Sequence, residues 1–308
     1  MYLHSYVFIV FRILAAFPQK GISPMTHRYP INPSLRHIAL PMPFLPELAP
    51  AANVFLKTAF DLTPGLPGIL HRVIPGPPFD IHVFEPEAGT DRSLLYFHGG
   101  AFFYKAAPYH RQLAQLYARE ARCRVYMPDY RTGAYPLPFL DAMTVWKRVL
   151  ADGSIPAGFA GDSAGAALAI MLANVVKPAF LMLVYLVTDP FMQSDSMKQF
   201  TDTPLWNARN NRIMWNGFLK GQDPSEFDPL HHPVPVCTYV ETAEFDCLRD
   251  EGRDYARKVA ALGAPVTISV TRGTFHGYDM AVHSPAAQKN LRKRVSFLNR
   301  AFEEESNK

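Results

Sequence analysis

The chain has 308 residues, 48% apolar and 19% charged, which is enough to bury a substantial core within one domain. Its formal charge of +4 comes from 31 basic and 27 acidic residues scattered along the chain, a pattern that argues against nucleic-acid binding. Three cysteines are too few and too irregularly spaced for a disulfide framework or a zinc site, so a reducing, cytoplasmic setting is expected. Cys123 and Cys237 lie in apolar strand-like runs and read as buried thiols.

The first 21 residues, MYLHSYVFIVFRILAAFPQKG, leave three readings open: a secretory signal, an amphipathic helix, or a stretch ahead of a true start at Met25. Arg12 interrupts the apolar region and no Lys or Arg precedes it, both against a signal. No apolar run reaches the roughly 20 residues of a membrane helix. Up to about residue 75 strand signals are few. Asp80 to Pro86 alternates as a strand does, and Ser93 to Phe97 is a short apolar run that ends in His98-Gly99-Gly100. A helix over Tyr109 to Ala121 is followed by a strand at Cys123 to Met127. A second helix runs from Phe139 to Leu150, and a strand at Ala157 to Ala160 leads into an Ala-rich helix that reaches Asn174. Phe180 to Val187 reads as a buried strand, and Val236 to Glu241 and Val266 to Thr271 as two more, separated by a helix at Arg249 to Leu262. The basic run Lys289 to Arg294 reads as the solvated face of a C-terminal helix. Strands alternating with helices predict an α/β fold, a mostly parallel central sheet with helices on both faces. The stretch from Asp189 to Pro235 breaks that rhythm and reads as an insertion above the sheet.

The segment GFAGDSAGAALA, Gly158 to Ala169, surrounds one serine with small residues. Packing does not account for them, because Gly and Ala fill little volume. A sharp strand-to-helix turn does, since it leaves the Ser163 oxygen exposed over a helix N-terminus that favours developing negative charge. His98-Gly99-Gly100-Ala101-Phe102, at the end of an earlier strand, offers backbone N–H groups that can approach a substrate closely. A base belongs on a loop after a late strand, where His276 stands beside Gly277. His231 and His232 have neither metal-ligand spacing nor a partner and read as surface loop. His110 falls on a helix face, His98 reads as a loop anchor, and His283 lies beyond the base loop. For the acid, the residues alone leave Asp189 and Asp246 open, while Asp250 and Glu251 read as first-turn helix acids.

Taken together and in order, HGGAF, PDYR (Pro128 to Arg131), GDSAG, AEFDCLRDEG and FHGY resemble the hormone-sensitive-lipase family of α/β-hydrolases over about residues 80 to 300. The resemblance implies an α/β-hydrolase fold with a helical cap, one domain over 1–308, with cap elements from about 1–60 and 190–235. It implies Ser163 as nucleophile, His276 as base and Asp246 as acid, with Gly99, Gly100 and Ala164 as oxyanion donors. Three positions depart from the family pattern. Ala101 replaces the usual third glycine, Ala166 replaces another, and Thr132-Gly-Ala-Tyr-Pro136 follows Arg131 where Leu-Ala-Pro-Glu is usual. The implied reaction is hydrolysis of a small-molecule carboxylic ester through an acyl-enzyme, with no cofactor and no metal, and a homodimer is compatible with it. Amide hydrolysis of the arylformamidase type, or a receptor on the same fold, are the alternatives. Phe102, Phe103, Phe191, Trp206, Trp215 and Phe218 are expected to roof the site and close the acyl pocket at short chains.

Overall fold

A fully buried apolar run in the middle of a chain is the mark of a parallel strand covered on both faces, and two such runs lie at the heart of this fold. They are β3 (Ser93–Phe97) and β6 (Phe180–Val184), in which every residue is buried. The computed structural model describes residues 28–307; the readings made on the first 27 residues, including the first part of the expected cap, lie outside the described residues. The remaining strands are β1 (Ile69–Ile74), β2 (Ile81–Pro86), β4 (Arg124–Pro128), β5 (Gly158–Asp162), β7 (Cys237–Phe245) and β8 (Val266–Phe275). They form one sheet in the order β1-β2-β4-β3-β5-β6-β7-β8. Strand β2 is antiparallel to β1 and β4, and every other pairing is parallel.

Five helices cover the sheet: α2 (Pro108–Glu120), α3 (Leu137–Ala151), α4 (Ala164–Val175), α7 (Arg249–Ala261) and α8 (Pro285–Ser306). Leu113, Tyr117, Leu291 and Phe297 of α2 and α8 share one core. Val145, Leu168, Leu172 and Val259 of α3, α4 and α7 share the other. Ala-rich α4 has high intrinsic helix propensity. Its small side chains let it press so close to the sheet that Ala164 through Ile170 are all buried.

The sequence reading missed β1. This strand is at the sheet edge, pairs with β2 alone, and exposes Leu70 and His71 in succession, so no apolar run or clean alternation marks it. Strands β7 and β8 extend past their expected ends to Phe245 and Phe275, which pair with each other after a register shift. Each therefore delivers the next residue, Asp246 or His276, to the same end of the sheet. Strand β6 stops earlier than expected, at Val184, after which Tyr185 takes a positive φ of 35°.

Helix α1 (Ala49–Asp61) precedes the sheet, and α5 (Asp195–Gln199) and α6 (Ala208–Leu219) occupy the expected insertion. The two regions are stitched together by Leu205 N–H on the Leu40 carbonyl (2.9 Å) and by Asn210. The Asn210 amide accepts from Phe44 N–H (3.0 Å) and donates to the Met42 carbonyl (2.7 Å). Three side chains differ from the sequence reading. Cys237 is only partly buried, Arg294 is fully buried rather than solvated, and Phe191 is 44% exposed. Among the described residues no helix is long and apolar enough to cross a membrane.

Candidate active site

Ser163 stands between β5 and α4 with φ 53° and ψ −123°, a region that side chains rarely adopt and that persists only where the surroundings enforce it. The small neighbours are part of that enforcement. A Cβ on Gly161 would overlap the Gly165 carbonyl, and a Cβ on Gly165 would overlap the carbonyls of Phe97 and His98 at the end of β3. Ser163 N–H donates to the Val184 carbonyl (2.9 Å), and the Ser163 carbonyl accepts from Ala166 N–H (3.1 Å). Ala164 opens α4, so its N–H has no partner within the helix and sits at the positive end of the dipole.

From the ends of the two late strands, His276 and Asp246 reach this turn. His276 Nε2 lies 2.9 Å from Ser163 Oγ, and His276 Nδ1 lies 2.9 Å from Asp246 Oδ2. The carboxylate can only accept, so Nδ1 carries the proton and Nε2 is left to receive the hydroxyl's. Asp246 is fully buried, and its other oxygen accepts from Leu248 N–H (3.0 Å). The imidazole is flanked by Tyr185 and Trp206, at ring-centroid distances of 4.6 and 5.9 Å.

The other acids are engaged elsewhere. Asp189 closes its own turn by accepting from Phe191 and Gln193 N–H, both at 2.9 Å. Asp250 accepts from Ser196 N–H (3.0 Å), and its hydrogen bonds with Arg249 hold its carboxyl below the usual range. Burial pushes Glu251 well above that range, where it accepts from Thr188 N–H (2.7 Å). Two histidines differ from expectation. His231 has a partner, Asp228 Oδ2 at 2.6 Å. His110 is buried, with Nε2 3.2 Å from Asp162, whose carboxylate also accepts from Tyr96 OH (2.7 Å).

The HGGAF loop passes beside the serine: a Cβ built on Gly99 would lie 3.2 Å from Ser163 Cβ. Gly100 has φ 130°, followed by Ala101 at 56° and Phe102 at 63°. Its carbonyl accepts from Phe103 N–H (3.0 Å) and Tyr104 N–H (2.7 Å), which closes the turn. His98 Nδ1 donates to the Gly99 carbonyl (2.6 Å), its ring stacks on Tyr130, and burial pushes its imidazole down to about 3.

Two residues that the sequence reading did not name brace this loop. Asn53 on α1 donates to the Phe103 carbonyl (2.9 Å) and accepts from Lys105 N–H (2.8 Å). Lys105 Nζ donates to the carbonyls of Asp129 (2.8 Å) and Tyr130 (2.7 Å), which ties the loop to the PDYR segment. No local pattern marks Asn53, because its partners lie about fifty residues away. Around the loop, Phe102 stacks on Phe218 at 3.9 Å and packs beside Trp215. Trp206 meets Phe44 edge-on at 5.4 Å.

Comparison with known proteins agrees with this architecture. Residues 94–280 match the model of the α/β hydrolase fold family. The carboxylic ester hydrolase LipN of Mycobacterium tuberculosis is 28% identical over 235 residues, 67% of this chain and 62% of its own length. The chain thus spans somewhat under two thirds of that relative. An acetyl esterase of Salmonella paratyphi B is 26% identical over 232 residues, 67% of this chain and 72% of the relative. The crystal structure of esterase LipW from Mycobacterium marinum superposes with a TM-score of 0.80 at 26% identity, covering 88% of this chain and 96% of the other. With the sheet order, the turn at Ser163 and this match in hand, the chain belongs to the α/β-hydrolase family, whose hormone-sensitive-lipase members its motifs resemble.

Proposed function

We propose that the protein is a carboxylesterase in which Ser163 attacks the ester carbonyl. His276 Nε2 takes the serine proton as the Oγ–C bond forms, then gives it to the leaving alcohol as the C–O bond breaks. Asp246 holds the imidazole tautomer and stabilises the imidazolium. The N–H groups of Gly99, Gly100 and Ala164 stabilise the oxyanion, each contributing about 3 kcal/mol. Water, activated by the same histidine, then attacks the acyl-enzyme, and Ser163 regains its proton as the acid leaves. The observation that carries this reading is the hydrogen-bonded line from Ser163 through His276 to Asp246, at 2.9 Å on each side of the imidazole. The esterase names of the relatives support it.

Residues 28–61 and 189–235 act as a cap on this reading, and Trp206, Phe44 and Phe103 bring large rings close to the imidazole and the HGGAF loop. Ser163 and His276 expose only 6% and 7% of their surface, which supports a substrate with a short acyl group. Each methylene that fits should gain about 0.8 kcal/mol, and the first that does not should clash. The acetyl esterase relative acts, by its name, at the short end of that range. The test is labelling with a fluorophosphonate, followed by kcat/KM for aryl esters from acetate to palmitate. One adduct on Ser163, with an optimum at about two to six carbons, is expected. A folded protein that takes no label overturns the esterase reading, and a rate still climbing at about twelve carbons overturns the closed pocket.

A further inference from the structure

Helix α8 carries a guanidinium into the core, and nothing in the ester-hydrolysis steps uses it. Arg294 is 1% exposed. Its Nε and Nη2 form a fork on Glu241 of β7, at 3.1 and 2.6 Å. Nη1 donates to Asp279 (2.7 Å) and to Tyr117 OH of α2 (3.3 Å), and Nη2 also reaches Tyr278 OH (3.3 Å). All five N–H donors of the side chain are thereby directed at oxygen. Glu241 further accepts from Tyr278 OH (2.6 Å) and Tyr239 OH (2.9 Å). Burial alone would raise its carboxyl, but Arg294 and these hydroxyls hold it below the usual range.

This cluster reaches His276 by two routes, along the chain and through the Tyr185 ring. Tyr278 and Asp279 belong to the short turn that directly follows His276 and Gly277. Asp279 Oδ1 accepts from Tyr185 OH (2.6 Å), and the Tyr185 ring lies 4.6 Å from the imidazole. Tyr185 N–H in turn donates to the Glu241 carbonyl (2.7 Å), on the strand that ends just before Asp246. A buried ion cluster is weak evidence for stability, because desolvation offsets its Coulomb energy, and its better-attested use is to specify one arrangement.

We infer that Arg294, acting through Asp279 and Tyr185, is a positioning residue that fixes the His276 turn and holds the Tyr185 ring against the imidazole. This rests on the esterase reading above. Misplacing a base by a fraction of an ångström lowers turnover while leaving substrate binding nearly intact. Tyr185→Phe keeps the ring and removes the hydroxyl that ties it to Asp279. Tyr117→Phe removes a hydroxyl from the same guanidinium on the α2 side. Tyr185→Phe should lower kcat about tenfold with KM within about twofold, and Tyr117→Phe should leave kcat within about twofold. Arg294→Lys, which keeps the charge but loses the fork, should lower kcat like Tyr185→Phe. If it does not fold, Asp279→Asn replaces it with the same expectation. Unchanged kcat in Tyr185→Phe, or equal losses in Tyr185→Phe and Tyr117→Phe, overturns the inference. A wild-type protein that neither labels nor turns over overturns the esterase reading, and this inference with it. Active wild type beside an unimpaired Tyr185→Phe overturns this inference alone.

Discussion

Two turns flank the site, and both hold ordinary residues in left-handed backbone: Ser163 at φ 53° in one, Ala101 and Phe102 at 56° and 63° in the other. They are held in different ways. The serine turn is enforced by backbone packed on backbone, with Gly161 against Gly165 and Gly165 against the end of β3. The HGGAF loop closes on its own Gly100 carbonyl and leans further on side chains, on Asn53 of α1 and on Lys105, which bonds to the PDYR segment. Gly133 N–H on the Phe102 carbonyl (2.8 Å) supports it as well. Strained backbone persists only where its surroundings over-determine it. The serine turn should therefore tolerate change in the segments around it, whereas the loop should depend on α1.

The sharpest way to break this contrast is at the serine turn itself. Ser163→Gly removes the proposed nucleophile and relieves the left-handed strain together. kcat should fall by at least about 10⁴-fold, while urea unfolding should show unchanged stability or a gain of up to about 1 kcal/mol. A loss of stability would mean that the turn is not strained. Gly165→Ala attacks the packing instead. Its new methyl would meet the carbonyls of Phe97 and His98, and a forced backbone shift of that kind should cost about 3 kcal/mol. Unaltered unfolding would show that β3 and α4 can separate easily.

On the loop, Asn53→Ala deletes both of its bonds to the segment after Phe102. Stability should fall by about 1–2 kcal/mol. kcat should fall about tenfold at nearly constant KM, because misaiming the proposed oxyanion donors acts on the transition state. Equal turnover in the variant would mean the loop holds its own shape, and the contrast with the serine turn would disappear.

The same contrast explains what could be read in advance. The α/β alternation and the turn at Ser163 are local matters: apolar runs, a Gly-x-Ser-x-Gly spacing, an Ala-rich helix. Asp246 and His276 were named from family resemblance and strand position, and they now stand within hydrogen-bond distance in one line. Neither Asn53 nor Tyr185 carries a local signal for its role, because each acts through partners far along the chain. Arg294 misled most: the KNLRKR run looks like a solvated face, and only the packing of α8 over β7 turns that one arginine inward. Edge strand β1 holds four apolar residues, but they come as the pairs Ile69-Leu70 and Val73-Ile74, which is neither a run nor an alternation.

Acid should also tell the two turns apart. Burial pushes the His98 imidazole down to about 3, against about 6.5 in an unfolded chain. Between these values the unfolded chain binds a proton that the folded protein refuses, so stability rises with pH. The contribution is complete above about pH 6.5 and is lost as pH falls toward about 3. For one such group the slope is about 1.4 kcal/mol per pH unit. His71, pushed down by burial and by Arg111, acts in the same direction, and Glu251, raised by burial, opposes it. His98→Asn should therefore flatten the slope of urea-derived stability between about pH 4 and 6 by roughly that amount. An unaltered slope would assign the acid sensitivity to other groups and free the loop from it.

The smallest effect belongs to Ala101, which lies beside a glycine of very different character. Gly100 has φ 130°, and a Cβ there would overlap the Tyr104 carbonyl. Ala101, at φ 56°, sits where an L-residue is strained by about 1–2 kcal/mol. Ala101→Gly relieves that strain, but it adds freedom to the unfolded chain worth about 0.5–1 kcal/mol. It also removes a buried methyl worth up to about 0.8 kcal/mol. The three terms nearly cancel, so stability should change by less than about 1 kcal/mol. Specificity is the more telling readout. If the methyl narrows the acyl pocket, the optimum in kcat/KM against aryl-ester chain length should move to longer acyl groups by a carbon or so. An unmoved optimum would mean that the loop contributes its backbone alone, leaving Trp206 and its neighbours to set acyl length.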